Sequence, residues 1–306
     1  MLSIIVLVKD SPQHARACVE SVIHSLRRLG VEAQSELILL DDFSDAESRI
    51  PELFTAARTG TKAATRAIRF KRHSHYAYGV ALGMSIATGR HVLFISHDMM
   101  LAPDCLRELL HVAETFDGAG PIRPVSPHMD YAPGEVLASP LPVRSQRDVD
   151  SFASLVADCR GGALAEIFTL VGDAMLVPRR VIDRIGVMDG RNYFGFMSDV
   201  DYGMRARRAG FRLLIARGAW VQHVGAVVSK EVLAGKRESR PEMGLPLFQK
   251  AYDAFRQKWD PTMPQDYSKL HYEQFRRLSE PGVGGPNDPR LFEPPMAIDP
   301  AVCEEL

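Results

Sequence analysis

The stretch Phe94-Ile95-Ser96-His97-Asp98-Met99-Met100 sets an imidazole and a carboxylate side by side at the end of an apolar run. Two other apolar runs end in acids: Asp10 follows residues 2–8, and Asp41-Asp42 follow residues 36–40. Further along, Ser198-Asp199-Val200-Asp201 opens a helix-like segment, and His223 follows the apolar run that ends at Val221. Carboxylates and imidazoles are the side chains that hold divalent cations and move protons. Each also has a plainer use. An Asp after a strand caps a turn or a helix, Ser198 with Asp201 fits a capping box, and acids suit the positive end of a helix.

The elements that position these residues are legible from the apolar pattern. From residue 2 to about 117, short β-branched runs alternate with helix-like segments, the pattern of β-α units around a mainly parallel sheet. Strands are expected at 2–8, 36–40, 66–70 and 91–96. Ser11 and Pro12 look like a helix start, with Cys18, Val19, Val22, Ile23 and Leu26 as its buried stripe. Residues 79–89 read as a short helix, and Pro103 opens another. In open α/β sheets ligands sit at the carboxyl ends of the strands, where loops and helix N-termini converge. Asp10, Asp41-Asp42 and Asp98 all fall there.

From about 118 to 165 the chain is rich in Pro, Gly and short polar stretches, and one helix is expected near 148–158. Order returns with a strand and a Pro-started helix in Phe168-Thr169-Leu170-Val171-Gly172-Asp173-Ala174-Met175-Leu176-Val177-Pro178 and the residues after it. Past residue 228 the chain is helical and charged, then rich in Pro and Gly. Phe248, Tyr252, Phe255 and Trp259 share one helical face that suits docking on the main domain.

With 306 residues, 46% of them hydrophobic, the chain can bury a large core. Its 37 basic and 38 acidic side chains leave no charge excess for nucleic acid or an anionic membrane. The four cysteines, Cys18, Cys105, Cys159 and Cys303, form no C-x-x-C pair, so neither zinc nor a disulfide framework is suggested and a reducing, cytoplasmic setting fits. The opening apolar stretch reaches Lys9, Asp10 and Pro12 too soon for a signal peptide and reads as a buried strand. No stretch approaches the roughly 20 apolar residues of a membrane span, so any membrane contact is expected to be peripheral.

In their order and spacing, the stretches 4–22, 37–48, 89–106, 172–180, 198–211 and 221–225 resemble the family 2 glycosyltransferases of GT-A fold, over roughly residues 2–225. The resemblance implies a domain at 1–227, with a nucleotide-sugar half (1–117) and an acceptor half (118–227), followed by a C-terminal extension at 228–306. It implies a transferase that inverts the sugar's configuration and moves it from a nucleotide diphosphate, most commonly a UDP-sugar, to a carbohydrate or other hydroxyl acceptor, as in polysaccharide biosynthesis.

Residue by residue, Asp98 takes the place of the family's metal-binding acid, although Ser96-His97-Asp98-Met99-Met100 carries one acid where two are common. His97 stands ready for ribose or metal, and His223 matches a histidine that completes a Mn²⁺ or Mg²⁺ site. Asp42 resembles the acid that holds the nucleoside, and Asp10 with the backbone near Val8 matches the nucleotide edge. Gly79 falls in a donor-sugar loop where backbone approaches the ligand. Val80 and Ala81 replace the usual Arg and Asn, leaving Lys71 or Arg72 as substitutes. Asp199 aligns with the general base, Asp201 with acceptor orientation or a helix cap, and Gly172 and Asp173 with the acceptor side. The C-terminal extension is a candidate surface for self-association.

Two other functions compete. A carbohydrate- or nucleotide-binding scaffold of the same fold would explain the incomplete acid motif. A dinucleotide-dependent oxidoreductase fares badly, because Lys9-Asp10-Ser11-Pro12-Gln13-His14 after the first strand contains no G-x-G-x-x-G.

Overall fold

The computed structural model describes residues 1–127, 136–224, 245–270, 272–285 and 287–306. The first half runs β1 (Leu2–Val8), α1 (Pro12–Arg28), β2 (Ser35–Asp41), α2 (Ile50–Gly60), β3 (Ala64–Phe70), α3 (His75–Ile86), β4 (His91–Ser96), β5 (Met99–Met100) and α4 (Pro103–Thr115). The second half runs β6 (Ala119–Val125), α5 (Gln146–Arg160), β7 (Leu164–Ile167), β8 (Ala174–Pro178), α6 (Arg179–Ile185), α7 (Ser198–Arg208), β9 (Arg212–Trp220) and β10 (Gln222–His223). The C-terminal segment adds α8 (Leu245–Trp259), α9 (Tyr272–Leu278) and β11 (Cys303–Glu305).

Among the described residues nine strands form one sheet in the order β11-β3-β2-β1-β4-β8-β6-β9-β7. Strands β3, β2, β1 and β4 run parallel to one another, so their carboxyl ends lie along one edge. Strand β8 runs antiparallel between β4 and β6. Alternation along β1 sends Ile4, Val6 and Val8 to the core under α1, α2, α4 and α5. Ile5 and Leu7 face the opposite core, under α3, α6 and α7. Both faces are therefore covered, as a mainly parallel sheet requires.

Several expectations change here. Strands β6 and β7 lie in the stretch read as irregular. Pro121 and Pro124 hid β6, which is nonetheless fully buried and pairs with β8 and β9. Ser11 adopts a left-handed conformation and its Oγ has no partner, so α1 begins at Pro12 without a side-chain cap. Nor is there a capping box on α7: Met197 precedes the helix in a left-handed conformation, and the buried Ser198 Oγ is unpartnered.

Gly79 is not in a ligand-facing loop. It is buried in α3, where a Cβ would lie 2.6 Å from Leu7 Cδ1, and one turn on a Cβ at Gly83 would lie 2.7 Å from Ile5 Cγ2. The two glycines let α3 pack directly on β1.

The proposed boundary at 227/228 lies outside the described residues. Beyond it, Tyr252, Phe255 and Trp259 of α8 do dock, forming a third core with Tyr193, Met197 and Met204. The last residues return to the main sheet, where β11 pairs antiparallel with β3 and covers its edge. Among the described residues no helix is long and apolar enough to cross a membrane.

Because Gly79 serves packing, Gly79→Val should overpack the α3–β1 contact and lower stability by about 1–3 kcal/mol. The urea midpoint should fall while nucleotide affinity of the folded protein stays unchanged. Lost affinity at unchanged stability would return Gly79 to the ligand site.

Candidate active site

Strand β4 runs out at Ser96, and after Asp98 the chain forms β5, which pairs antiparallel with β10 so that Met99 faces His223. The Val224 amide also donates to the Asp98 carbonyl (3.1 Å). This pairing brings together two residues 125 positions apart in sequence, with His223 Nε2 lying 3.4 Å from Asp98 Oδ2. Both residues are buried. Burial by itself raises the Asp98 pKa, but the hydrogen bond from His223 and the charges of His223 and His97 outweigh it and hold the carboxyl below its ordinary value.

A separation of 3.4 Å is long for a good hydrogen bond. It is short enough for one cation to touch both atoms, since carboxylate and imidazole ligands sit at about 2.0–2.2 Å. A carboxylate and a neutral imidazole also suit a Mn²⁺-like ion. Behind the imidazole, Asp173 Oδ2 lies 3.7 Å from His223 Nδ1. A carboxylate there orients a ligating histidine from its far side. Among the described residues no three His, Cys, Asp or Glu side chains form a metal cluster; Asp98 and His223 form a pair with Asp173 behind it.

Asp173 is fixed from several directions. It accepts from the Arg123 guanidinium and from the Ala174 amide (2.9 Å), and its carbonyl accepts from Ser96 N (2.9 Å). Arg123, on β6, is buried. Asp173 thus faces His223 and Arg123, whereas the sequence placed it on the acceptor side. Next to it, the Gly172 amide donates to Asp199 Oδ2 (3.0 Å) and the Gly172 carbonyl accepts from the Tyr76 hydroxyl (2.5 Å). A Cβ at Gly172 would lie 2.0 Å from the Tyr76 oxygen and 3.2 Å from Asp199 Cβ, so a side chain there would displace the Tyr76 hydroxyl.

Asp199 stands in the first turn of α7, and its Oδ1 accepts from the Val200 amide (2.9 Å). Burial pushes its pKa up, against the lowering effect of the amides of Val200 and Gly172 and of the Arg123 charge. Asp201, two residues on, points elsewhere. It is fully buried, pairs with Arg205 Nε (2.8 Å) and Lys258 Nζ (2.8 Å), and accepts from Trp259 Nε1 (2.9 Å). A carboxylate so enclosed cannot touch an acceptor, which corrects that expectation.

At the neighbouring strand ends, Asp10 and Asp42 are buried and heavily used by the protein. Asp10 Oδ1 accepts from the Asp45 amide (2.7 Å), and Oδ2 pairs with Lys9 (2.7 Å). Asp42 accepts from the amides of Ser74 (2.6 Å) and His75 (3.1 Å) and lies 2.8 Å from His73 Nδ1. Its own amide donates to the Val8 carbonyl (2.8 Å), so the Val8 position joins β1 to β2. Lys71 Nζ donates to the Pro300 carbonyl (2.7 Å) and its amide to the Val302 carbonyl (2.8 Å), which ties it to the C-terminal segment.

Several buried atoms at this edge have no hydrogen-bond partner: Ser11 Oγ after β1, Asp41 Oδ2 at the end of β2, His73 Nε2 after β3 and His97 Nε2 after β4. Burial lowers the His97 pKa, although Asp98 and the Leu7 carbonyl pull it up. Buried polar groups without partners are uncommon, and four at adjacent strand ends suit a polar ligand.

Sequence reasoning missed Arg123, Tyr76 and His73. No motif marks Arg123 or Tyr76, because each becomes relevant only through a contact with Gly172 or Asp173. His73 had a usable signal in its position just after β3.

The description "Glycosyltransferase like family 2" matches residues 5–240. No curated protein sequence matches the chain. One similar solved structure is GalNAc-T7 with UDP, GalNAc and Mn²⁺: 14% identity, TM-score 0.62, with 93% of this chain and 56% of that chain covered. This chain therefore spans little more than half of that protein's length. Another is the mannosyltransferase PcManGT from Pyrobaculum calidifontis in complex with GDP-Man and Mn²⁺: 13% identity, TM-score 0.52, with 83% and 69% covered. With the family matched over most of its length and its sheet shared with these structures, the chain belongs to the glycosyltransferase-like family 2 and has the GT-A fold.

Proposed function

We propose that this transferase moves a sugar from a nucleotide diphosphate to a hydroxyl acceptor with inversion, using Asp199 as the base and Asp98 with His223 as cation ligands. One observation carries the proposal: two consecutive residues, Gly172 and Asp173, hold the candidate base and the candidate cation pair side by side. The nucleotide would lie along the ends of β3, β2, β1 and β4, where Ser11, His73 and His97 leave polar atoms unpartnered. A UDP-sugar is the favoured donor, and a carbohydrate the favoured acceptor. The four free cysteines, three of them buried, suit a reducing, cytoplasmic setting.

When bound, a Mn²⁺ or Mg²⁺ ion supplies positive charge to the departing diphosphate. Asp98 and His223 would hold it, with remaining positions left to phosphate and water. Asp173, anchored by Arg123, keeps the His223 ring oriented. Asp199 takes the acceptor hydroxyl proton as that oxygen bonds to the anomeric carbon. The bond from that carbon to the diphosphate oxygen breaks, and its electron pair leaves with the diphosphate. The amides of Gly172 and Val200 aim the Asp199 carboxylate, and its raised pKa makes it a stronger base than an exposed Asp.

Thermal stabilisation by UDP, GDP and dTDP, each with Mn²⁺ or EDTA, tests the donor site. Stabilisation by at least one nucleotide should require Mn²⁺ and disappear in Asp98→Ala and His223→Ala. Equal stabilisation in EDTA would remove the cation pair.

Asp199→Asn should leave melting temperature and nucleotide affinity nearly unchanged while sugar transfer falls roughly 10²- to 10⁴-fold. Full transfer by this variant would remove Asp199 as base, and no transfer by the wild type across donors and acceptors would favour a binding scaffold.

The pH profile offers an independent check. Asp199 works only when ionised, and its pKa is raised, so transfer should fall with decreasing pH along a limb lying above the ordinary carboxylate range. A limb at or below about pH 4 would contradict this assignment.

A further inference from the structure

The matched family region ends at residue 240, yet the first turn of α7 is fastened by residues beyond it. That turn carries Asp199 and has no side-chain cap. Its other acid, Asp201, accepts from Lys258 and Trp259 of α8, from Arg205 one turn along α7, and from the Tyr193 hydroxyl (3.4 Å). Lys258 Nζ also reaches Asp189 Oδ2 (3.3 Å), while the Arg205 guanidinium donates to the carbonyls of Ile185 (2.7 Å) and Val187 (2.8 Å). Two acids, Asp201 and Asp189, thus face two cations, Arg205 and Lys258. The Trp259 ring is held in turn by Arg208, with its guanidinium carbon 4.5 Å from the ring centroid, and by Arg290 at 5.4 Å.

We infer that Lys258 and Trp259 are positioning residues for the catalytic base. Acting through Asp201, they fix the first turn of α7 so that the Asp199 carboxylate stays on the Gly172 amide. The C-terminal segment then completes the transferase site from outside the family's matched region. A buried carboxylate that loses one of its donors is driven to find water or another partner, and here the nearest freedom is movement of the uncapped turn. The inference rests on the proposed role of Asp199, but the fastening itself can be observed without donor or acceptor.

Amide hydrogen exchange in the full chain reads it directly. Trp259→Phe keeps an aromatic ring while removing the donor to Asp201; Lys258→Met removes the charge, and Lys258→Arg retains it. In the first two variants, exchange at the Gly172 and Val200 amides should quicken at least 10-fold. Exchange at Ile5 and Leu93, in the central strands, should not change, and UDP affinity in Mn²⁺ should stay within about twofold. Lys258→Arg should behave as wild type. Unchanged exchange at Gly172 and Val200, or a rise matched at Ile5 and Leu93, would overturn the inference, the latter by showing a general loss of stability. A failure of the proposed base shows separately, as full transfer by Asp199→Asn.

Discussion

The site depends on how Gly172 and Asp173 are tied down. Within two residues, this dipeptide bonds to β4 through Ser96, to α3 through Tyr76, to β6 through Arg123 and to α7 through Asp199, and it faces β10 through His223. It immediately precedes β8, which joins the parallel half of the sheet to the strands that follow. A shift of this dipeptide would move the candidate base and the candidate cation pair together. The constraint is steric as well as polar, because any side chain at position 172 would occupy the space of the Tyr76 hydroxyl.

The parallel strands supply a second, looser constraint. By ending along one edge, they gather Asp10, Asp41, Asp42, His73 and His97 within a few strand spacings of one another. Most of the acids there are spent on holding loops in place. Asp42 anchors the turn into α3, and Asp41 takes the Ser44 amide (2.9 Å), with burial raising its pKa. Polar atoms without a hydrogen-bond partner belong to a serine, two histidines and one oxygen of Asp41. Acid-rich strand ends therefore shape the cleft, and of the groups left open to a ligand His97 stands out in the sequence whereas His73 does not.

Much of the fold was legible because continuous apolar runs mark strands buried on both faces and helical stripes mark helices buried on one. Strand β1, strand β4 and the apolar face of α8 are examples. The pattern failed where packing overrides composition: β6 is a buried strand despite two prolines, and α7 begins without the cap its sequence suggests. For the site, acids at strand ends and at the start of α7 were visible as residue types in order. Their partners were not, since Asp98 meets His223 only when β5 pairs with β10, and Asp201 is withdrawn from the site only when α8 docks. Long-range contacts decided which of two neighbouring acids, Asp199 or Asp201, remains near the cleft.

Burial acts on Asp98 and Asp199 alike by disfavouring the charged form, and their different surroundings then separate them. Beside Asp98 stand two imidazoles, and the carboxyl stays ionised at lower pH than usual. Asp199 has amide donors and a more distant guanidinium, which only partly offset burial, so its proton affinity rises. Under the proposed function, these opposite shifts match the two tasks. A cation ligand works best when permanently charged, whereas a base must bind a proton firmly enough to remove it from a hydroxyl. Arg123 lies between these demands. Bound to Asp173, it steadies the acid behind His223, and its charge also limits how far the Asp199 pKa can climb. Moving that guanidinium closer to Asp199 would weaken the base, and removing it would leave Asp173 without its cation. Its buried position on β6, paired with Asp173, serves both tasks.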